Sequence, residues 1–299
     1  MTAVALRDAA TVMLVRDRDE CRPARRDLNA GAGAGGSPGM EVLMLRRNLE
    51  STWVGGAHLF PGGALDAEDR SAEMASFCRG RSDAEASAVM GVVEGGGAFF
   101  VAAVRECFEE AGILLAATGA GPVSFSDPAD ARRFEEHRRR LNAGEVSLAS
   151  ICRDEGLVLE LDRLGYFSHW ITPEGSPRRY DTRFFVAVVP EHQEALCDDH
   201  EVVDSIWIEP GDALERHAAG EIDLLLPTTK NLEAISRFTA ADDLLAAAAA
   251  VDVPAIQPRL AVEGPGVRIM LPGDPGYEAA TGLPPGAPFP GARHRAGPG

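Results

Sequence analysis

Basic residues, cysteines and long apolar runs are all scarce in this chain. Lys and Arg number 29 against 46 Asp and Glu, a formal charge of −17. That deficit excludes a protein whose main partner is the nucleic-acid backbone, because counterion release needs clustered cations. It does not exclude phosphorylated small molecules, since a bound divalent metal inverts the local charge. The five cysteines (Cys21, Cys78, Cys107, Cys152 and Cys197) are widely spaced and contain no C-x-x-C pair. They predict reduced thiols in a cytoplasmic protein, neither a disulfide frame nor a zinc site. No apolar run approaches the roughly 20 residues of a membrane span, so no membrane partner is expected. Residues 1–16 lack the basic-then-apolar layout of a secretory signal, and neither a transit peptide nor a peroxisomal address is expected.

What is present is ordinary for a globular protein: 45% hydrophobic and 25% charged residues over 299 positions, enough for one large domain or two small ones. Ala9–Val15 and Met40–Leu45 predict strands. The charged, then Gly-rich stretch between them predicts a hairpin-like connection with a flexible tip. Gly55–Gly63 predicts a loop–strand–loop, and Leu65–Met90 one or two helical pieces. Surface helices are expected over Phe125–Asn142 and Ser147–Glu155, with Arg132–Arg140 solvated. Strands are expected over Gly165–Ile171, Arg183–Val189 and Val202–Ile208, and helices over Pro210–Ala219 and Thr228–Ala250. From Gly264 onward 17 of 36 residues are Gly or Pro, which argues against a packed domain there.

Ala98–Ala111 carries the clearest helical pattern. Phe100, Ala103, Val104, Cys107, Phe108 and Ala111 recur at three- and four-residue steps, and Gly112 follows as a stop. Arg105, Glu106, Glu109 and Glu110 gather on the other flank. Carboxylates this close repel by about a few tenths of a kcal/mol per pair on a helix surface. An arbitrary acidic stripe is usually just solvated, whereas Mg²⁺, which takes oxygen ligands and keeps several waters, would compensate this one.

The surroundings of that helix decide between the two. Phe60-Pro61-Gly62-Gly63 with Asp66 and Asp69, followed by Arg105-Glu106-Cys107-Phe108-Glu109-Glu110-Ala111-Gly112-Ile113, resembles the box G-x5-E-x7-R-E-U-x-E-E-x-G-U of the Nudix hydrolase superfamily, where U is apolar. Two departures stand out. Asp69 occupies the place of the first Glu, and 35 residues instead of seven separate it from Arg105, an insertion of 28. A split box of this kind is a feature of the coenzyme A diphosphatases of the Nudix motif 19 type. Glu41 to Arg46, Gly56 to Gly63, Arg105 to Leu115, Trp170 to Pro173 and Arg179 to Phe185 are similar to that subfamily's further motifs. The resemblance covers about residues 5–240.

It implies an α/β fold, the Nudix α/β/α sandwich with a mixed sheet and the insertion inside the box. The expected domain spans 1–250, with the insertion at about 70–97 as a lid or dimer contact and 251–299 as a Gly/Pro-rich tail. It also implies metal-dependent hydrolysis of a diphosphate bond in a nucleotide, coenzyme A or an acyl-CoA giving 3′,5′-ADP and (acyl-)phosphopantetheine. NADH, ADP-ribose or another dinucleotide is the alternative substrate, and a Nudix-fold binding module without catalysis the alternative class. Glu109 and Glu110 would be the principal Mg²⁺ or Mn²⁺ ligands. Glu106 would complete the shell or orient water, a carbonyl of Gly62 or Gly63 would join, and Arg105 would hold a box carboxylate in place. Arg46, His58, Phe60, Gly62, Arg179 and Arg183 are the expected substrate contacts, and Glu201 the expected base or extra ligand. Trp170 and Phe184 could flank a base or pantetheine, although aromatics in strands are usually core. A homodimer is the one protein partner left open.

Overall fold

The first two apolar runs form strands β1 (Leu6–Asp17) and β2 (Met40–Arg47), which pair antiparallel through Val15–Val42, Arg16–Glu41 and Asp17–Met40. The computed structural model describes residues 4–18, 39–48, 55–196, 202–250, 252–263 and 266–280. The base of the β1–β2 connection is thus a hairpin, and its tip lies outside the described residues. Two short strands follow, β3 (His58–Leu59) on β2 and β4 (Gly62–Ala64) on β1. The insertion comes next: α1 (Ala72–Ser76), β5 (Cys78–Arg79) and α2 (Asp83–Met90). Then comes α3 (Gly96–Ala111), the carboxylate helix.

Past α3 the chain forms β6 (Ala116–Thr118), β7 (Gly121–Pro122), α4 (Pro128–Asn142), α5 (Leu148–Glu155) and β8 (Val158–Glu160). It returns to the main sheet as β9 (Gly165–Ile171), β10 (Arg179–Val188) and β11 (Val202–Ile208). Helices α6 (Pro210–Ala218), α7 (Leu226–Ile235) and α8 (Ala241–Ala248) follow. Strand β12 (Ala255–Ile256) and the hairpin β13 (Arg259–Glu263)–β14 (Gly266–Met270) come last.

The main sheet runs β11-β2-β1-β10-β9-β12, with β3 and β4 beside β2 and β1. It is mixed: β1 and β10 pair parallel from Leu6–Arg179 to Val15–Val188, while β2 and β9 run antiparallel to them. Both faces are covered, so its strands read as continuous apolar runs rather than as alternation. On one face Ala10, Val12, Leu14, Leu43, Leu45 and Phe185 pack with Phe100, Val104 and Phe108 of α3. On the other, Met13, Val15, Val42, Met44, Trp170 and Phe184 pack with Leu232, Ile235 and Leu244 of the last helices. The expected α/β/α sandwich is present.

The insertion carries the helical pieces expected of it and is packed: Met74, Ala86, Ser87 and Met90 are buried, and β5 pairs with β8 in a second, small sheet, β5-β8-β6-β7. Other expectations need correction. The helix expected over Thr228–Ala250 is two helices, because the backbone N–H of Ala241 is capped by Asp17 Oδ1 of β1 at 2.7 Å. Beyond residue 250, β12 extends the main sheet beside β9. Leu260 and Met270 of the Gly/Pro-rich stretch are buried. Trp170 and Phe184 are core residues rather than substrate flanks.

Candidate active site

Two glycines bring the β4 backbone against α3. The N–H of Gly62 donates to Glu110 Oε2 at 2.9 Å. A Cβ at Gly63 would lie 2.4 Å from Glu106 Oε1, and one at Gly62 would lie 2.5 Å from the carbonyl oxygen of Ala10. At Gly62 the obstacle is backbone, so that glycine is required by close approach rather than by a turn, whereas a side chain at Gly63 would displace the Glu106 carboxylate.

Arg105 organises the carboxylates. Its Nε and Nη2 donate to Asp69 Oδ1 and Oδ2, both at 3.0 Å, a two-pronged pairing that suits the planar guanidinium. Nη2 also reaches the carbonyl of Ala64 at 2.9 Å. Nη1 sits between Glu106 Oε1 at 2.9 Å and Glu109 Oε2 at 2.8 Å. The first insertion helix is capped by Ser71, which leaves Asp69 to Arg105. Asp69 is the buried partner of Arg105, and it accepts from the N–H of Asp66 as well.

The cluster is short of positive charge. Burial is the first cause that pushes Glu106 up to about 8, Arg105 offsets part of it, and Glu109 adds to it. Burial likewise raises Glu109. For Arg105 burial opposes the charge, but the hydrogen bond to Asp69 and the charges of Glu106, Asp69 and Glu109 outweigh it and raise its pKa. One guanidinium thus faces three carboxylates in a half-dry site, with Glu110 and Asp66 nearby. The donors are all oxygen, the preference of Mg²⁺ and Mn²⁺. Among the described residues no three His, Cys, Asp or Glu are gathered at ligand distance, because Glu106 and Glu109 converge on Arg105 and Glu110 turns to Gly62. A cation would draw two of these carboxylates onto itself, and the donor chemistry and charge deficit both suit one.

Both ends of α3 are held from outside the box. At its start, Asp83 of α2 accepts the N–H groups of Gly95 and Gly97 at 3.0 and 2.9 Å, and Ser87 Oγ that of Gly96 at 2.9 Å. A Cβ at Gly96 would lie 2.4 Å from the backbone nitrogen of Ser87, so the glycine lets α2 cross there. At its end, Arg138 of α4 donates to the carbonyls of Glu109 and Glu110. Arg138 is only 6% exposed, which corrects the expectation of a wholly solvated Arg132–Arg140.

A shallow cleft beside Glu110 is lined by Leu45, Arg47, Leu59, Phe60, Gly62, Glu110 and Val202. Phe60 and Gly62, expected substrate contacts, lie in it. Arg46 does not. Successive side chains on a strand alternate, so Arg47 shares the α3 face with Leu43 and Leu45, while Arg46 shares the opposite face with Val42 and Met44. There it stands opposite His58 and Asp204. His58 is lowered first by burial, then by Arg46 and Arg216. Arg183 is 5% exposed; it pairs with Asp181, and its guanidinium stacks on Phe99 at 5.3 Å. Asp181 is held in turn by His169 at 2.6 Å. Arg179 donates to the carbonyl of Thr172 at 3.2 Å and is not among the cleft residues. Glu201 lies outside the described residues. Arg47, Asp83, Ser87 and Arg138 were missed; only Arg47 had a local signal, being next to Arg46 on a strand whose apolar residues already mark the inner face.

The NUDT19 Nudix domain family model matches residues 77–235. The chain is 32% identical over 240 residues to the acyl-coenzyme A diphosphatase NUDT19 of Gallus gallus, covering 68% of this chain and 63% of that protein. With the protein of the same name from Homo sapiens it is 29% identical over 237 residues, covering 69% and 63%. The chain thus spans about 63% of the length of these curated relatives. Among solved structures, a NUDIX hydrolase from Alicyclobacillus acidocaldarius superposes with a TM-score of 0.61 at 26% identity, covering 82% of this chain and 97% of that one. The split box, its carboxylate helix beneath two close-packed glycines, and these likenesses agree: the chain belongs to the Nudix hydrolase family, in its NUDT19 Nudix domain branch.

Proposed function

We propose that this chain hydrolyses the diphosphate bond of coenzyme A or an acyl-CoA, giving 3′,5′-ADP and (acyl-)phosphopantetheine, with Mg²⁺ or Mn²⁺ held by Glu106, Glu109 and Glu110. The observation that carries the reading is the trio of carboxylates on α3, Glu106 buried and Glu109 and Glu110 half-buried, with Glu106 and Glu109 sharing one guanidinium and Glu110 lining a cleft. The substrate class is supported by the relatives called acyl-coenzyme A diphosphatases. A bound divalent cation neutralises charge on the diphosphate and acidifies water. The chain's own part is positional. Asp69 fixes Arg105, Arg105 holds Glu106 and Glu109, and the Gly62 N–H holds Glu110, so the three carboxylates are kept on one flank of α3 from which they would turn to the cation. In the cleft, Arg47 offers a planar cation to a phosphate, while Phe60 and Leu59 supply apolar wall. Glu201 immediately precedes Val202 of that wall and is proposed as base or additional ligand. Water hydrolyses the P–O–P bridge: its oxygen bonds to one phosphorus, the bond from that phosphorus to the bridging oxygen breaks, and the bridging oxygen leaves on the other phosphate, which takes up a proton.

The test is product analysis with Mg²⁺ or Mn²⁺ on coenzyme A, acyl-CoA, NADH and ADP-ribose. Release of 3′,5′-ADP from coenzyme A or acyl-CoA is expected. Equal or faster turnover of NADH or ADP-ribose removes the coenzyme A preference, and no turnover of any member sinks the enzymatic reading for these substrates.

A further inference from the structure

The last turn of any helix leaves four carbonyls without an intrahelical donor. In α3 they belong to Phe108, Glu109, Glu110 and Ala111, two of them carboxylate residues of the box. Phe108 and Cys107 are served by the N–H groups of Gly112 and Ile113 at 3.1 and 3.3 Å, with Gly112 in the left-handed region at φ 68°. The carbonyl of Ala111 accepts from the N–H of Leu196 at 2.9 Å. The two between belong to Glu109 and Glu110. They are taken by Arg138, whose Nε reaches Glu109 O at 2.9 Å and whose Nη2 reaches Glu110 O at 3.0 Å. Asn142 Nδ2, one turn further along α4, adds a second donor to Glu109 O at 3.1 Å.

The match is geometric. Nε and Nη2 lie on one edge of a rigid plane and point the same way, so a single guanidinium spans two successive carbonyls. A lysine in its place would keep the charge but offer its donors from one freely rotating nitrogen rather than from two on a rigid edge. The cation also sits at the negative end of the helix dipole, where three carboxylates already crowd. We propose that Arg138 is a positioning residue for the metal-binding pair: by fixing the backbone of Glu109 and Glu110 in the final turn, it sets the direction from which their carboxylates meet a divalent cation. The inference rests on the reading that Glu109 and Glu110 hold that cation.

The experiment is Mn²⁺ titration of the full chain without substrate, with free Mn²⁺ counted by its EPR signal, beside thermal melts and kcat and KM on the preferred substrate. For Arg138→Met the expected result is a Kd for Mn²⁺ raised by about 10- to 100-fold, the usual cost of losing a group that orients ligands. At saturating Mn²⁺, kcat falls and KM stays near its original value. The sign separates geometry from charge, because removing a nearby positive charge by itself would tighten a cation. Arg138→Lys keeps the charge and is expected to recover only part of the loss. Asn142→Ala, which leaves the fork, is expected to weaken Mn²⁺ by a smaller factor. As a control, Arg133→Met removes another α4 arginine, paired with Asp130 and Glu155, and is expected to leave the Mn²⁺ Kd unchanged. A folded Arg138→Met protein with the original Mn²⁺ Kd and kcat overturns the proposal. If that variant does not fold, original Mn²⁺ binding in both Arg138→Lys and Asn142→Ala overturns it. No Mn²⁺ binding by the unaltered chain overturns the cation reading instead, and the proposal with it.

Discussion

Asp69 is one methylene shorter than the glutamate that the Nudix box carries at this place, yet both of its oxygens meet Arg105 at 3.0 Å. The pair is almost dry, with side chains 2% and 8% exposed. Removing one partner of a buried pair costs about 3–5 kcal/mol, since the other charge is left without compensation. Asp69→Ala is therefore expected to lower the unfolding free energy by that amount in urea titrations. Asp69→Asn, which keeps one acceptor, should cost less. Glu109→Gln is a different kind of change: it is expected to lower kcat by orders of magnitude with the melting temperature nearly unmoved, because it keeps the side chain's shape and an acceptor for Arg105 while removing a half-buried charge that burial disfavours. Near-original rates would disprove the ligand assignment. His58 carries a pH signature of its own. Burial, with Arg46 and Arg216, holds its folded-state pKa below 6.5, so the unfolded chain takes up the proton first. Stability from this group is present above pH 6.5 and is lost as pH falls through 6.5 toward the folded-state value. Replacing His58 with Gln should flatten the stability profile in that window, read from denaturant midpoints at each pH.

At the scale of elements, the insertion is part of the support of the carboxylate helix. Asp83 and Ser87 supply the acceptors that the exposed N–H groups at the start of α3 need, and β5 ties the same segment to β8. A lost cap costs about 1 kcal/mol, and Asp83 serves two N–H groups. Asp83→Ala is expected to destabilise by about 1–2 kcal/mol, seen as a lower urea midpoint with an unchanged m-value. An unchanged midpoint would mean that water replaces Asp83 at no cost. The helix itself was legible from its three- and four-residue apolar steps. Its exact start was not, because the caps that extend it to Gly96 come from α2 and no local pattern announces them. The break between α7 and α8 was hidden for the same reason, its cap being Asp17 on β1.

For the molecule as a whole, the charge of −17 divides into a solvated majority and a small buried share around Arg105. On the proposed reading that this share holds a cation, folding and cation binding are interdependent. A cation that binds only the folded chain stabilises it by about 2.7 kcal/mol at a hundred times its Kd. Mn²⁺ or Mg²⁺ is thus expected to raise the melting temperature, EDTA to reverse the rise, and Glu109→Gln to abolish most of it. A melting temperature indifferent to both cations would argue against a metal at this site. No helix among the described residues is long and apolar enough to cross a membrane, and Cys78, Cys107 and Cys152 are free thiols.

The sequence by itself determined the strands around Ala9–Val15 and Met40–Leu45, the carboxylate helix and the family, because these depend on short-range periodicity and on a motif whose residues lie within one helix and one loop. Tertiary structure decided what depends on register and on distant partners. Strand pairing turned Arg47 rather than Arg46 toward the cleft, since one step along a strand changes the face. Packing brought Asp69 to Arg105 across 36 positions, and turned Arg138 from an apparent surface charge into a brace for Glu109 and Glu110. Such contacts are chosen by where burial brings the chain together, and a charged residue 29 positions away leaves no local trace of the carbonyl it will meet.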